Sequence, residues 1–319
     1  ISCSALINPA IFLPAFFCRN NEVPYPMNNA ITPGAIPYPE GSVTFGPGSP
    51  TLCVNDQCGY LIERQDVQEK LLKEDFSPLI ELARDGKEKG FHIFNVQLMA
   101  PSLIEEEERL FPQAVEAVYK ETGCGIAVDT KNPRVLEKAL AQYPYRTMCN
   151  CITGERKSLE EMIPIIAEYG GVVGTAIVDE EGIPQTVEGR MKVGRRVVET
   201  AEKHGIARED VVLDAVCFAA GAVPDSMRVA LQTLRSFKEE LGVPTLLGIS
   251  NAGFMMPRPS ILEISYFIAA VSWGMDVAMI SPYTPQIEWF REAMDFLMGI
   301  DPYASSYLRL YRESGKGDG

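Results

Sequence analysis

Eight short runs of β-branched and small apolar residues recur along this chain, near 51–55, 91–97, 125–129, 146–150, 171–178, 210–215, 244–250 and 276–281. Runs of that length, apolar throughout and bounded by turn residues, read as strands buried on both faces. Each is followed by a stretch of helical spacing, and strands that alternate with helices pair in parallel. Eight such units are the number that closes a barrel. The expected fold is an α/β chain of the (β/α)8 type, a TIM barrel, over residues 51–319. A further helix follows the last unit, beginning at Asp301-Pro302.

Several helix starts carry explicit signals. Asn132-Pro133 offers a cap before a proline at the first helical position, and Ser158 with Glu161 and Ser260 with Glu263 have capping-box spacing. Residues 1–50 differ from the rest, being rich in Pro, Asn and Gly and nearly free of charge. They read as an irregular extension made of extended loop. The apolar segment from Ile11 to Phe17 has no basic leader and is interrupted by Pro14, unlike a secretion signal.

Four of the strand runs close on a polar residue: Asp129, Asn150, Asp214 and, just past its strand, Asn251. A barrel brings the C-terminal ends of its strands to one rim, so four hydrogen-bonding side chains converge on one mouth. Taken singly, Asp129 or Asp214 is more readily read as a cap for the next helix, and Asn251 as an Asx-turn residue. Together they suit a flat polar heterocycle such as a pterin or purine. Carboxylates accept from ring N–H and amino groups, while an amide presents a donor and an acceptor to a ring edge.

Other chemistries lack their residues. The chain has two histidines, His92 at the N-terminal end of a strand and His204 at the polar end of a helix, which leaves no basis for a histidine-dependent triad. Cys149 and Cys151 fall on one strand face with Asn150 on the other, and Cys53 with Cys58 has no second pair at zinc spacing, so no bound metal is expected. The glycines lack the spacing of a phosphate loop. With 29 basic against 43 acidic residues and a net charge of −14, a nucleic-acid partner would be repelled. No stretch reaches the roughly 20 apolar residues needed to cross a bilayer, and eight cysteines in a chain able to build its own core read as reduced thiols. A cytoplasmic protein is expected.

The words Ala127-Val-Asp-Thr130, Met148-Cys-Asn150, Gly182-Ile-Pro184, Leu213-Asp214, Leu247-Gly-Ile-Ser-Asn251 and Gly274-Met-Asp276 stand in an order and spacing that resemble one family. That family is the pterin-binding methyltransferases that move a methyl group between methyltetrahydrofolate and a corrinoid. It is similar in fold to dihydropteroate synthase, a TIM barrel. The resemblance implies that Asp129, Asn150 and Asp214 hold the pterin ring, that Gly248 and Ser250 line its floor, and that Asn251 lies beside N5, the atom carrying the methyl group, as the catalytic residue. It implies a reduced cobalt as nucleophile, which needs no nucleophilic side chain here. The chain has no Asp-x-His-x-x-Gly corrinoid signature, so the corrinoid is expected on a separate partner protein.

There are departures. Ile93 stands where relatives often carry an Asp ahead of the residue matching Asn95, the loop after Asn251 is apolar, and Arg258, a candidate contact for the folate tail or corrinoid, is one residue out of register. Two other readings remain. One is a non-catalytic pterin-binding or assembly subunit of a corrinoid complex. The other is a dihydropteroate synthase-like enzyme, against which stands the absence of its lysine and Ser-x-Arg near the last strands. A homodimer is expected from the family and from apolar residues Trp289, Phe290, Phe296 and Leu297 in the last helices; covering the barrel's own wall would explain the same residues.

Overall fold

The computed structural model describes residues 34–315. Eight parallel strands form a closed barrel: β3 (Leu52–Asn55), β4 (Ile93–Gln97), β5 (Gly125–Asp129), β6 (Met148–Thr153), β7 (Val172–Ala176), β8 (Val211–Asp214), β9 (Thr245–Gly248) and β10 (Val277–Ile280). Each strand pairs with its neighbours in the sequence, and β10 closes on β3 through Val277↔Leu52 and Ile280↔Asn55. All eight expected strands are present.

The alternation of side chains along each strand divides the core in two. Leu52, Val54, Ile93, Ala127, Met148, Val172, Val212, Leu246, Val277 and Met279 fill the barrel's interior. Their neighbours, among them Cys53, Phe94, Val128, Cys149, Val173, Leu213 and Ala278, join the layer packed against the surrounding helices. One step of two residues beyond an interior apolar position therefore also points inward. Ala127 leads to Asp129, Met148 to Asn150, Val212 to Asp214, Ile93 to Asn95 and Val54 to Asp56. The rim chemistry is thus set by strand period.

The reading of residues 1–50 as loop needs correction within the described part. Gly34–Tyr38 (β1) and Gly41–Phe45 (β2) form an antiparallel hairpin. Ile36 and Phe45, both wholly buried, join the barrel's interior cluster. The hairpin covers the N-terminal end of the strands: Arg146, just before β6, donates from its guanidinium to Ala35 O (3.1 Å), and Tyr38 stacks on His92, just before β4, with ring centroids 5.5 Å apart. Gly125 is needed there, because a Cβ would stand 2.5 Å from Ile93 Cδ1 and 3.0 Å from Tyr38 Cβ. The apolar segment from Ile11 to Phe17, which the sequence sets apart from a secretion signal, lies outside the described residues.

Helix starts are only partly as expected. Asn132 caps the helix Pro133–Gln142, its side chain accepting from Arg134 N at 3.0 Å. The two capping boxes are not made. The helix Arg156–Tyr169 begins before Ser158, whose Oγ accepts from Thr153 N, and Ser260 lies inside the helix Pro259–Ser272 while Glu263 accepts from Thr284. Thr186, which carries no box, caps the helix Val187–Lys203. At the far end, Trp289 packs edge-on to Tyr307 and Phe290 is part-buried, whereas Phe296 and Leu297 stay exposed. Among the described residues no helix is long and apolar enough to cross a membrane.

Candidate functional site

The C-terminal mouth holds a polar layer whose members are adjacent by register. Gln97 pairs with Asp129, and Asp129 with Asn150, across three consecutive strands. Asn95, one interior step below Gln97, donates from its amide to Asp129 Oδ2 at 2.8 Å and faces the Asn150 amide at 3.4 Å. A register shift between Cys149 and Ile152 places Asn150 at a bulge, the kind of irregularity that re-aims a side chain at a barrel rim. Gly174 on the neighbouring strand gives Asn150 room, since a Cβ there would meet its Oδ1 at 3.4 Å. Behind Asp129, the buried Glu107 accepts from Thr130 Oγ1 at 2.7 Å, and burial raises its carboxyl above the usual range.

Asp214 stands on the opposite arc. Burial pushes its carboxyl up to about 7, against the Val216 N–H it accepts from (2.8 Å) and the guanidinium of Arg190. Arg190 is almost wholly buried on the helix Val187–Lys203 and donates to Pro184 O, Ala215 O and Val216 O. It therefore ties down the turn that follows Asp214.

The third group is on the segment after β9. Asn251 is exposed, in the 3-10 turn Ile249–Gly253, and its amide folds back over Gly248, where a Cβ would lie 2.7 Å from Asn251 Nδ2. Glycine at 248 is what allows that approach. Ser250 is buried, and its Oγ has no partner that meets hydrogen-bond geometry among the described residues. Beside it, at the inward position past β3, is Asp56, which the sequence reading missed. Burial pushes its carboxyl up to about 6, against the Gln57 amide, which donates to it at 2.8 Å, and the nearby Ser250 hydroxyl.

A cleft of about 430 Å³ opens over β3, β9 and β10, with Gln57, Tyr60, Ser250, Phe254, Glu263 and Thr284 in its wall. Of the expected site residues only Ser250 lines it; Asp129 and Asn150 stand on β5 and β6, across the barrel, and Asp214 on β8, the neighbour of β9, and none of the three is in the cleft wall. Arg258 is exposed in a left-handed conformation (φ 54°), and its guanidinium makes no hydrogen bond or ion pair among the described residues. The structure thus brings together six of the seven expected positions on the rim strands or their immediate extensions and leaves Arg258 apart. Gln97 and Asp56 were hidden because each sits beside an apolar strand residue, and Asn95 stood out only as a position of the family resemblance. Stepping by two from Ile93 and Val54 would have found them.

Among the described residues no group of three or more His, Cys, Asp or Glu side chains is placed to hold a metal ion. Cys53, Cys58 and Cys149 are buried, and desolvation pushes each thiol up to about 12, which leaves them unreactive packing groups.

Fold and rim define an eight-stranded (β/α) barrel whose ligand mouth, at the C-terminal end of the strands, is built from carboxylates and amides. The family described as pterin binding enzyme matches residues 66–279, and the chain belongs to it. It is 21% identical over 193 residues to the methylcorrinoid:tetrahydrofolate methyltransferase of Eubacterium limosum, across 59% of this chain and 70% of that protein. It is likewise 21% identical over 229 residues to methionine synthase of Mycobacterium leprae, a match that spans 67% of this chain and only 19% of that protein. Among solved structures, dihydropteroate synthase from Coxiella burnetii, in complex with pteroic acid, aligns with a TM-score of 0.63 at 15% identity, over 84% of this chain and 100% of that one. The enzyme of the same name from Stenotrophomonas maltophilia gives 0.58 at 20%, over 79% and 100%. At these identities the two structures attest the shared fold.

Proposed function

We propose that this chain transfers a methyl group between N5 of methyltetrahydrofolate and the cobalt of a corrinoid carried on a separate protein. The observation that carries the reading is the polar layer itself: Asp129 and Asn150 paired in register on neighbouring strands, Asp214 at the inward end of β8, and Asn251 folded over Gly248. The family and the relative from Eubacterium limosum support it.

In this reading the ring lies across the mouth with its N–H and amino donors toward Asp129 and Asp214 and its edge acceptor toward an amide of Asn150 or Asn95. These groups are organised before the ligand arrives, because Asn95 already holds Asp129 and the Val216 N–H already holds Asp214. Asn251 lies beside N5. A tertiary amine leaves poorly unless N5 gains a proton or a strong hydrogen bond as the C–N bond breaks, and the Asn251 amide strengthens that bond in the transition state. When bound, the corrinoid supplies the nucleophilic metal that takes or gives the methyl group. The residues stabilise one transition state and so serve either direction.

The partner is a corrinoid protein, and the chain forms a homodimer through the exposed Phe296 and Leu297 of its last helices. Calorimetric titration with 5-methyltetrahydrofolate, followed by reduced cobalamin with absorbance at the methylcobalamin band, tests the main reading. Binding followed by methylcobalamin formation supports it; binding without transfer, even with a protein-bound corrinoid, points to an assembly subunit. No binding sinks the pterin assignment.

A further inference from the structure

The mouth is a closed circle of strands in the order β10, β3, β4, β5, β6, β7, β8, β9. A tetrahydropterin has a circular outline of its own: N3–H and the 2-amino group donate, N1 accepts, N8–H donates, C7 and C6 are carbon, and N5 and the 4-oxo group complete it. In the proposed reading Asp214 on β8 and Asp129 on β5 accept from ring donors, and the Asn150 amide on β6, between them, donates to N1. Asn251, just past β9 and so on the neighbour of the Asp214 strand, is beside N5.

That last placement fixes the direction in which the ring is laid down. Asp214 takes N3–H and the 2-amino group, Asp129 takes N8–H, and β4 is left facing C7. The reverse order would bring C7 to β9 and carry N5 to the other side of the mouth, away from Asn251. The cleft over β3, β9 and β10 then opens where the substituent on C6 leaves the ring.

The inward face of β4 ends in a side chain that fills this sector. Ile93 belongs to the interior apolar cluster, Asn95 holds Asp129, and Gln97 pairs in register with Asp129, while Phe94, Val96 and Leu98 belong to the outer layer. The Gln97 amide reaches toward the β3 side of the mouth, where a Cβ at Gly59 would stand 1.8 Å from its Nε2 and 3.1 Å from its Cδ. Gly59 lies in the short helix Cys58–Leu61 that follows β3, and Cys58 Sγ donates to Gln97 O at 3.2 Å. Backbone and side chain of Gln97 are thus held by the same turn, and only glycine at 59 admits the amide there. On β7, between Asn150 and Asp214, the inward face is instead cut back to Gly174 and Ala176.

An amide packed on Gly59 cannot retreat from a ligand, and close-packed surroundings resist even one added methyl group. We infer that Gln97 is a specificity-determining residue: its side chain fills the sector that C7 faces, so the chain takes tetrahydropterins with hydrogen at C7, as in tetrahydrofolate, and excludes those methylated there. This inference rests on the ring placement in the methyltransferase reading above. It adds selection by size to the hydrogen bonds that Asp129, Asn150 and Asp214 supply.

The test is competition against 5-methyltetrahydrofolate, followed by calorimetry without oxygen, using 6-methyltetrahydropterin and 6,7-dimethyltetrahydropterin, which differ by the C7 methyl group. Wild type should bind the first at least ~10-fold more tightly, and Gln97→Ala should bring the two within about threefold, mainly by gaining affinity for the second. Gln97→Met, which keeps the volume without the amide, should retain the wild-type preference. Equal affinities in wild type, or a preference that survives Gln97→Ala unchanged, overturns the inference. Loss of the preference in Gln97→Met overturns selection by size. Failure of 5-methyltetrahydrofolate itself to bind wild type removes the underlying reading; if the folate binds and neither pterin competes, recognition lies in the tail and selection at the ring edge falls alone. Should Gln97→Ala lose its cooperative melt, Gln97→Ser carries the same comparison.

Discussion

Asn95 donates a hydrogen bond of 2.8 Å to Asp129 from the adjacent barrel strand, and its carbonyl faces the Asn150 amide at 3.4 Å. One interior amide thus bridges two residues that the proposed function places on the pterin. Its own neighbours, Phe94 and Val96, point out into the helix layer.

Replacing that bridge should cost ligand affinity more than fold. Asn95→Ala removes a donor to a charged carboxylate, worth about 1.5–3 kcal/mol, which converts to a roughly 10- to 100-fold weaker 5-methyltetrahydrofolate affinity. Titration calorimetry checks it, with a melting curve as control. Unchanged affinity would take Asp129 and Asn150 off the ring.

Asn251 should divide kinetics differently. Its amide is exposed and folded over Gly248, free to meet a ligand without holding the barrel together. Asn251→Ala is expected to lower turnover by about 100-fold while affinity for the folate changes only a few fold, the mark of a bond that strengthens in the transition state. Equal losses in both would make it a simple binding residue.

Strand period explains what the sequence revealed and what it concealed. Parallel barrel strands are buried on both faces, so the eight runs stand out, and polar residues that end them, such as Asp129 and Asp214, are conspicuous. Asp56 obeys the same period but lies just beyond a strand, where a single polar residue does not interrupt the pattern, and Asn95, inside its strand, was legible only through the family resemblance. The hairpin was invisible for the opposite reason. Its two five-residue strands carry Pro37 and glycines at Gly34 and Gly41, and along β2 only Phe45 is fully buried. Composition there says loop, and tertiary packing against the barrel floor overrides it. Ser158 and Ser260 show the converse, since spacing alone proposed caps that the actual helix starts do not use.

Arg190 should prove structural with a functional consequence. Its guanidinium fills acceptors on Pro184, Ala215 and Val216, and Val216 has φ 55°, a left-handed conformation that a β-branched residue adopts only under constraint. Arg190→Met leaves those carbonyls without their donor at a cost of about 3 kcal/mol or more, and it removes the positive charge that favours ionised Asp214. Urea denaturation should show the loss, and the Asp214 carboxyl, followed by carbon NMR, should titrate higher still.

The Asp214 carboxyl, raised to about 7 by burial, also sets a pH trend in stability. Its unfolded value is about 3.9, so the folded state binds the extra proton between the two. The stabilisation is fully present below about pH 4 and is lost as pH rises through 7. Asp214→Asn removes this dependence: relative to the variant, wild type should lose ground between pH 5 and 8 in urea midpoints. A constant difference across that window would mean that Asp214 is ionised throughout.

The hairpin is the part of the fold whose removal separates stability from chemistry. Phe45 and Ile36 are wholly buried at the barrel's N-terminal end, opposite the mouth, with Arg146 bonded to Ala35 O and Lys87 paired at 2.6 Å to Glu40 of the hairpin turn. The ion pair is half exposed and contributes little; the aromatic plug contributes most. Phe45→Ala leaves a cavity against the interior cluster and should cost about 3–5 kcal/mol in denaturant unfolding, against under about 1 kcal/mol for Glu40→Ala. Folate affinity at a temperature where Phe45→Ala remains folded should match wild type, because the polar layer is carried by the opposite ends of the strands. If affinity fell with stability, the barrel interior would be transmitting strain from floor to mouth, and the hairpin would belong to the site as well as to the core.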